Sequence, residues 1–77
     1  MNGLQCKMAR AATGLGVREL AKLASVSPDT IARLERGDEL RASTIETIQT
    51  ALEAAGVEFI PENGGGAGVR LKKDYTT

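Results

Sequence analysis

The sequence predicts a mainly α fold: four short helices followed by a C-terminal β-hairpin. Three observations carry that prediction. Apolar residues recur at helical spacing through about residue 55, helix start and stop signals punctuate them, and beyond Gly56 the apolar period changes to alternation. Seventy-seven residues suffice for one small domain. Within it, residues 1–56 read as the helical unit and 57–77 as the hairpin and tail.

Leu4, Met8, Ala11, Ala12 and Leu15 lie at helical spacing, so a first helix is expected over about 3–13. It stops near Thr13-Gly14, where glycine tolerates a left-handed backbone. Val17, Leu20, Ala21 and Ala24 repeat at i, i+3, i+4 and i+7, which predicts a second helix over about 17–24. Gly16 is a tolerable N-cap for it, and Glu19 falls in its first turn.

Ser25-Val26-Ser27 is too short and polar to be an element, and it ends in a start signal. Ser27 can cap, and Pro28 suits the first helical position because its missing N–H would have no partner there. The third helix, over about 28–36, has a narrow apolar face of Ile31 and Leu34, so much of it must face outward. Gly37 stops it. Asp38 to Ala42 reads as a loop. Ser43-Thr44-Ile45-Glu46 then has the spacing of a capping box, in which each end residue satisfies the other's backbone N–H. A fourth helix is expected from Ser43, with Ile45, Ile48, Leu52 and Ala55 keeping the period until Gly56.

Val57 and Phe59 alternate with Glu58, and Val69 and Leu71 alternate with Arg70 and Lys72, which predicts two strands. The intervening Pro61 to Gly68 stretch is turn chemistry. Antiparallel pairing would bring Glu58 within reach of Arg70 or Lys72. An isolated hairpin is only marginally stable in water, so this one is expected to pack on the fourth helix or pair with the same hairpin of a second subunit.

Composition narrows the function. Apolar residues are 42% and charged residues 26%, and no run approaches the roughly 18 apolar residues of a membrane span. The start, Met1 to Lys7, has no apolar stretch of a secretory signal, and Cys6 has no second cysteine to pair with, so a cytoplasmic protein is expected. There is no His, which removes the commonest general base and metal ligand. Neither catalysis, a cofactor nor a metal is expected. Phe59 and Tyr75 are the only aromatics, too few to stack single-stranded bases, so any nucleic-acid partner should be duplex. Net charge is zero, yet unevenly spread: residues 1–41 carry seven basic and five acidic groups, and 42–63 carry four glutamates and no base. Residues 64–77 return to basic with Arg70, Lys72 and Lys73 against Asp74.

Two short helices joined by the three residues Ser25 to Ser27 have helix-turn-helix spacing, which ordinary helical hairpins also show. The residues go further. Leu20-Ala21, Val26-Ser27, Thr30-Ile31 and Glu35-Arg36-Gly37 stand at the defining positions of the lambdoid Cro and repressor type of helix-turn-helix, the xenobiotic-response-element family. The chain resembles that family over roughly residues 3–56, most specifically from Gly16 to Gly37.

The resemblance implies that the third helix is a recognition helix, with Ser27, Pro28, Asp29 and Arg33 turned to the major groove. Arg33 can donate two parallel hydrogen bonds to guanine O6 and N7. Asp29 can accept from cytosine N4 or serve the helix N-terminus. Pro28 offers apolar contact alone and reads first as structural, and Thr30 either touches phosphate or packs. Many family members have Gln at the start of the second helix, where it meets the DNA backbone. Here Val17 stands there, and Arg18 beside it is either the replacement phosphate ligand or a solvated charge. Arg36, Arg41 and the start of the fourth helix at Ser43 match the family's further backbone contacts. Arg10 and Glu35 match a structural ion pair between the first and third helices.

Two tempting features have plainer readings. Gly64 to Gly68 precedes no Lys-Ser/Thr and no helix, so it is a turn rather than a phosphate loop. Cys6 lies beside an apolar stripe and reads as a packing residue. The expectation is therefore a transcriptional regulator that binds double-stranded DNA at a palindromic operator, as a homodimer joined through the hairpin and fourth helix. The alternative is an antitoxin of the same family, which would bind a toxin protein and repress its own operon. A helical scaffold that binds no DNA ranks third.

Overall fold

Asn2 starts the first helix. In the computed structural model, which describes residues 1–72, the Asn2 side chain accepts from the Gln5 backbone N–H at 2.8 Å and Gln5 Oε1 accepts from the Asn2 N–H at 2.9 Å. This reciprocal cap satisfies two N–H groups that a helix start leaves without carbonyls. Helix α1 (Gly3–Thr13) follows and ends at Gly14, left-handed at φ 75°. Helix α2 (Val17–Ala24) begins after Gly16, whose N–H is accepted by Glu19 Oε1 at 2.8 Å.

The turn after α2 folds back on the helix end: Val26 N–H donates to Ala21 O at 2.9 Å and Ser25 N–H to Lys22 O at 3.2 Å. Ser25 takes the left-handed conformation this closure demands, at φ 57° and ψ 41°. Ser27 caps helix α3 (Pro28–Glu35) by accepting from the Thr30 N–H at 3.2 Å, with Pro28 in the first turn as expected. Arg36, expected as the last helical residue, is the C-cap.

Helix α4 (Ala42–Ala54) corrects the expected capping box. Its N-cap is Arg41, at φ −62° and ψ 144°, and the Arg41 carbonyl accepts from both Thr44 and Ile45. Ser43 therefore lies inside the first turn. Ala42, a better helix former than Ser, takes helical angles and carries the start upstream, so Ser43 and Glu46 are out of register for a box.

Strands β1 (Val57–Ile60) and β2 (Gly68–Leu71) form the expected antiparallel hairpin, pairing Val57 with Leu71, Glu58 with Arg70, Phe59 with Val69 and Ile60 with Gly68. Glu58 and Arg70 meet at 2.6 Å. The remaining tail, with Lys73, Asp74 and Tyr75, lies outside the described residues.

The hairpin packs on α4, as expected, and also on α1, which the sequence does not predict. Gln5 explains the second packing: its Nε2 donates to Ile60 O at 3.2 Å and to Gly68 O at 3.0 Å, opposite residues at the loop end of the hairpin. Val57 is fully buried with Cys6, Leu20, Ile31, Ile48 and Leu52, while Phe59 and Val69 pack against that core. Much of the apolar hairpin face is thus covered by the chain's own helices; Leu71 remains exposed. Lys72 closes the arrangement at the end of α4, its Nζ donating to Glu53 O at 2.7 Å, a cation at a helix C-terminus.

Gly3 of α1 lies against the α3 backbone at Leu34 and Glu35. A Cβ there would run into the Leu34 carbonyl oxygen, so only glycine lets the two backbones meet.

Candidate nucleic-acid interface

Helices α2 and α3 pack together through Leu20, Ala21, Ala24, Ile31 and Leu34, all buried. Burying one face of α3 against α2 leaves its other face outward, and on it lie Pro28, Asp29, Ala32 and Arg36, exposed, with Arg33 partly so. An eight-residue helix presented on a packed partner is the geometry that enters a major groove.

Ser27, at the head of that face, is already engaged as the N-cap, and its Oγ lies 2.9 Å from Thr30 Oγ1. Because Ser27 provides the cap, Asp29 is not needed for it. The Asp29 carboxylate is exposed and makes no hydrogen bond among the described residues, so it can accept from an outside donor. Thr30 and Arg33 share a cleft with Arg41 and Thr44, between α3 and the start of α4. The structure thus brings Arg33 and Arg41, eight positions apart in sequence, to the walls of one depression.

At the start of α4 the N–H groups of Ala42 and Ser43 have no carbonyl partner among the described residues, and the Arg41 side chain is exposed beside them. Open N–H groups and a guanidinium at a helix N-terminus suit a phosphate oxygen. Arg18 is exposed on α2 and makes no ion pair among the described residues. Val17 is different: it is partly buried and packs against the core, so its side chain is engaged within the fold.

Behind the face, Arg10 and Glu35 lock α1 to α3 through Nε–Oε2 and Nη2–Oε1 bonds of 2.7 and 2.8 Å. Burial opposes the Glu35 charge, but hydrogen bonds from Arg10 and Cys6 outweigh it and hold the carboxyl below its ordinary range. Cys6 is fully buried, and burial with the adjacent Glu35 pushes its thiol up to about 12, consistent with a packing role.

Two acids outside the sequence-based site lie beside these arginines. Asp38 lies 2.8 Å from Arg36 Nη2 and 3.8 Å from Arg33 Nε, and Glu39 lines the cleft beside Arg33 and Arg41. The Arg36 guanidinium beside Asp38 holds that carboxyl below its ordinary range. Only Gly37, which reverses the chain after α3, hinted that the following residues would return to the helix.

Comparison with protein families matches residues 3–59 to the helix-turn-helix domain. The chain belongs to that family. Among curated proteins no match to it emerges. The helix-turn-helix match covers α1 to α4 and most of β1, so it spans the whole helical scaffold that holds α3 outward. Membership identifies a DNA-binding regulator and agrees with the exposed polar face of α3. No helix among the described residues of this helix-turn-helix protein is long and apolar enough to cross a membrane.

Proposed function

We propose that this protein is a sequence-specific transcriptional regulator of the lambdoid Cro and repressor type, acting in the cytoplasm without catalysis of its own. The observation that carries this reading is the outward face of α3, where Pro28, Asp29 and Arg33 stand on a helix braced by α2 from behind and by the Arg10–Glu35 pair. In this reading Arg33 donates to guanine O6 and N7, Asp29 accepts from cytosine N4, and Ser27 and Pro28 touch the bases at the helix head. Arg18, Thr30, Arg36, Arg41 and the Ser43 N–H hold phosphates on either side, and Val17 contributes its backbone N–H.

One such module reads few base pairs, so a homodimer on an inverted repeat is the effective form. Exposed Leu71, and an outer edge of β2 that pairs with no other strand among the described residues, favour the hairpin as the joining surface, with α4 beside it. Selection of bound sequences from random duplex tests the reading. It should return an inverted repeat with half-sites about ten base pairs apart, and Arg33→Ala should relax one base pair in each and weaken binding by about 1–3 kcal/mol. Sedimentation equilibrium should show dimers. Failure to enrich any sequence would sink sequence-specific binding, and a monomer that holds one half-site as tightly as the repeat would sink the dimer.

A further inference from the structure

An acid beside a DNA-facing helix weakens the attraction to phosphate, so the position of Asp38 calls for a reason. The backbone puts it there. Gly37 is left-handed at φ 95°, its N–H donates to Leu34 O at 3.0 Å, and the Asp38 N–H donates to Arg33 O at 2.9 Å. This double closure folds the chain back over the end of α3. One carboxylate oxygen, Oδ2, then faces two guanidiniums of the same helix end, Arg36 at 2.8 Å and Arg33 at 3.8 Å. The side chains of Asp38, Arg33 and Arg36 are 40%, 44% and 61% exposed, so the cluster supports no packing, and exposed pairs contribute little to folding.

We propose that Asp38 is an affinity-limiting residue, an internal substitute for phosphate that occupies Arg36 and restrains Arg33 until duplex DNA supplies better ligands to both. The inference rests on the DNA-binding reading above.

Non-specific affinity comes from counterions released as cationic side chains neutralise phosphates. A guanidinium already paired with a carboxylate must break that pair first, and the freed carboxylate then repels phosphates within a Debye length of about 10 Å at 0.1 M salt. Asp38 therefore penalises every duplex, the operator included, because Arg36 must leave it to reach phosphate in either. Arg33 gives up only a loose 3.8 Å pairing, so its two directed bonds to a guanine edge are little impeded. Glu39, on the cleft beside Arg33 and Arg41, adds to the same restraint.

The test compares the full chain with Asp38→Asn and Asp38→Glu on the selected operator and on random-sequence duplex across a range of salt. Asp38→Asn should bind random duplex roughly threefold to tenfold more tightly at low salt, with a slope steeper by about 0.9 for the one further phosphate that Arg36 neutralises. Operator affinity should rise by at least as much, since Arg36 must leave Asp38 there too; Asp38→Glu should keep both affinities near those of the unsubstituted chain. In an Arg36→Ala background the Asp38→Asn gain on random duplex should shrink, which a merely structural effect would not produce. Unchanged affinity for both duplexes in Asp38→Asn, or a gain that persists in full with Arg36→Ala, overturns the proposal. The unsubstituted chain reads the underlying function separately: if it binds no duplex in a salt-dependent way, the DNA-binding reading falls and takes this inference with it.

Discussion

The Cys6 thiol donates to Glu35 Oε2 at 3.2 Å, the same oxygen that accepts Arg10 Nε at 2.7 Å, so two residues of α1 converge on one carboxylate of α3. The Glu35 side chain is 7% exposed and that of Arg10 22%. Removing one member of such a pair strands the other's charge, which is more damaging than the pair's net contribution is large.

Glu35→Gln should therefore lower stability by about 2 kcal/mol at neutral pH, below the full effect in a buried pair because Arg10 still reaches water. The pH dependence has a definite sign. Because the folded-state pKa of Glu35 is lowered, its contribution is fully present above the ordinary glutamate value of about 4.3 and is lost as pH falls through the lowered folded value. Urea unfolding at a series of pH values should show the gap between the native chain and Glu35→Gln closing in acid. A gap independent of pH would mean that poorer packing, rather than the missing charge, causes the difference.

Gln5 serves two structures with one amide. Its Oε1 completes the Asn2 cap while its Nε2 holds the Ile60 and Gly68 carbonyls, an orientation fixed because the Asn2 N–H needs an acceptor and the carbonyls need donors. Gln5→Glu retains the cap acceptor and removes both donors, so it should loosen the hairpin and cost roughly 1–3 kcal/mol. Amide hydrogen exchange should accelerate in β1 and β2 well before it does in α2 and α3. Uniform acceleration would show that the hairpin and helices open together. The burial of Val57 in the helical core makes deletion of residues 57–77 a poor alternative, because the cut would also open that core.

Gln5 and its neighbours also show how far sequence reaches into this fold. The helices are legible because each announces itself locally: Val17, Leu20, Ala21 and Ala24 share a face, and Ser27-Pro28 marks a start whatever surrounds it. Asn2-x-x-Gln5 is a local capping pattern of the same kind, whereas Ser43-x-x-Glu46 has the more familiar residues and forms no box. The second role of Gln5 is not legible, since its acceptors lie 55 and 63 residues away and are backbone carbonyls that leave no mark in sequence. The need for Gly3 is hidden for the same reason, because it comes from the carbonyl of Leu34. At the interface, the outward residues of α3 follow from helical period, whereas Asp38 joins them only through the reversal at Gly37.

Ser25 carries backbone strain at the centre of the helix-turn-helix. It is the one non-glycine residue with positive φ among those described, and its exposed side chain makes no hydrogen bond in that set. The left-handed conformation costs a side-chain-bearing residue on the order of 1–2 kcal/mol, part of which glycine recovers and part of which it loses in the unfolded chain. Ser25→Gly should raise stability by about 0.5–1 kcal/mol, visible as a higher urea midpoint with unchanged slope, and should leave DNA affinity intact. A lower midpoint would show that the Ser25 side chain makes a stabilising interaction in solution.

Arg18 and Arg41 allow phosphate binding to be separated from base reading. Arg18 is exposed on α2, and Arg41 is exposed at the start of α4 where the N–H groups of Ala42 and Ser43 are open. Neither has a carboxylate partner among the described residues, unlike Arg36, so each can neutralise a phosphate without first breaking an ion pair. Phosphates carry no sequence information, and their contribution is the release of counterions. Arg18→Ala and Arg41→Ala should thus weaken operator and random duplex by the same factor and flatten the logarithmic salt dependence by about 0.9 for each phosphate left unneutralised. Arg33→Ala should act in the opposite pattern, losing operator affinity with little change in slope. Titrations at several salt concentrations read both quantities from one set of curves. If Arg41→Ala weakened the operator alone with its slope intact, Arg41 would belong to base recognition, and the open start of α4 would have to hold its phosphate through main-chain N–H groups.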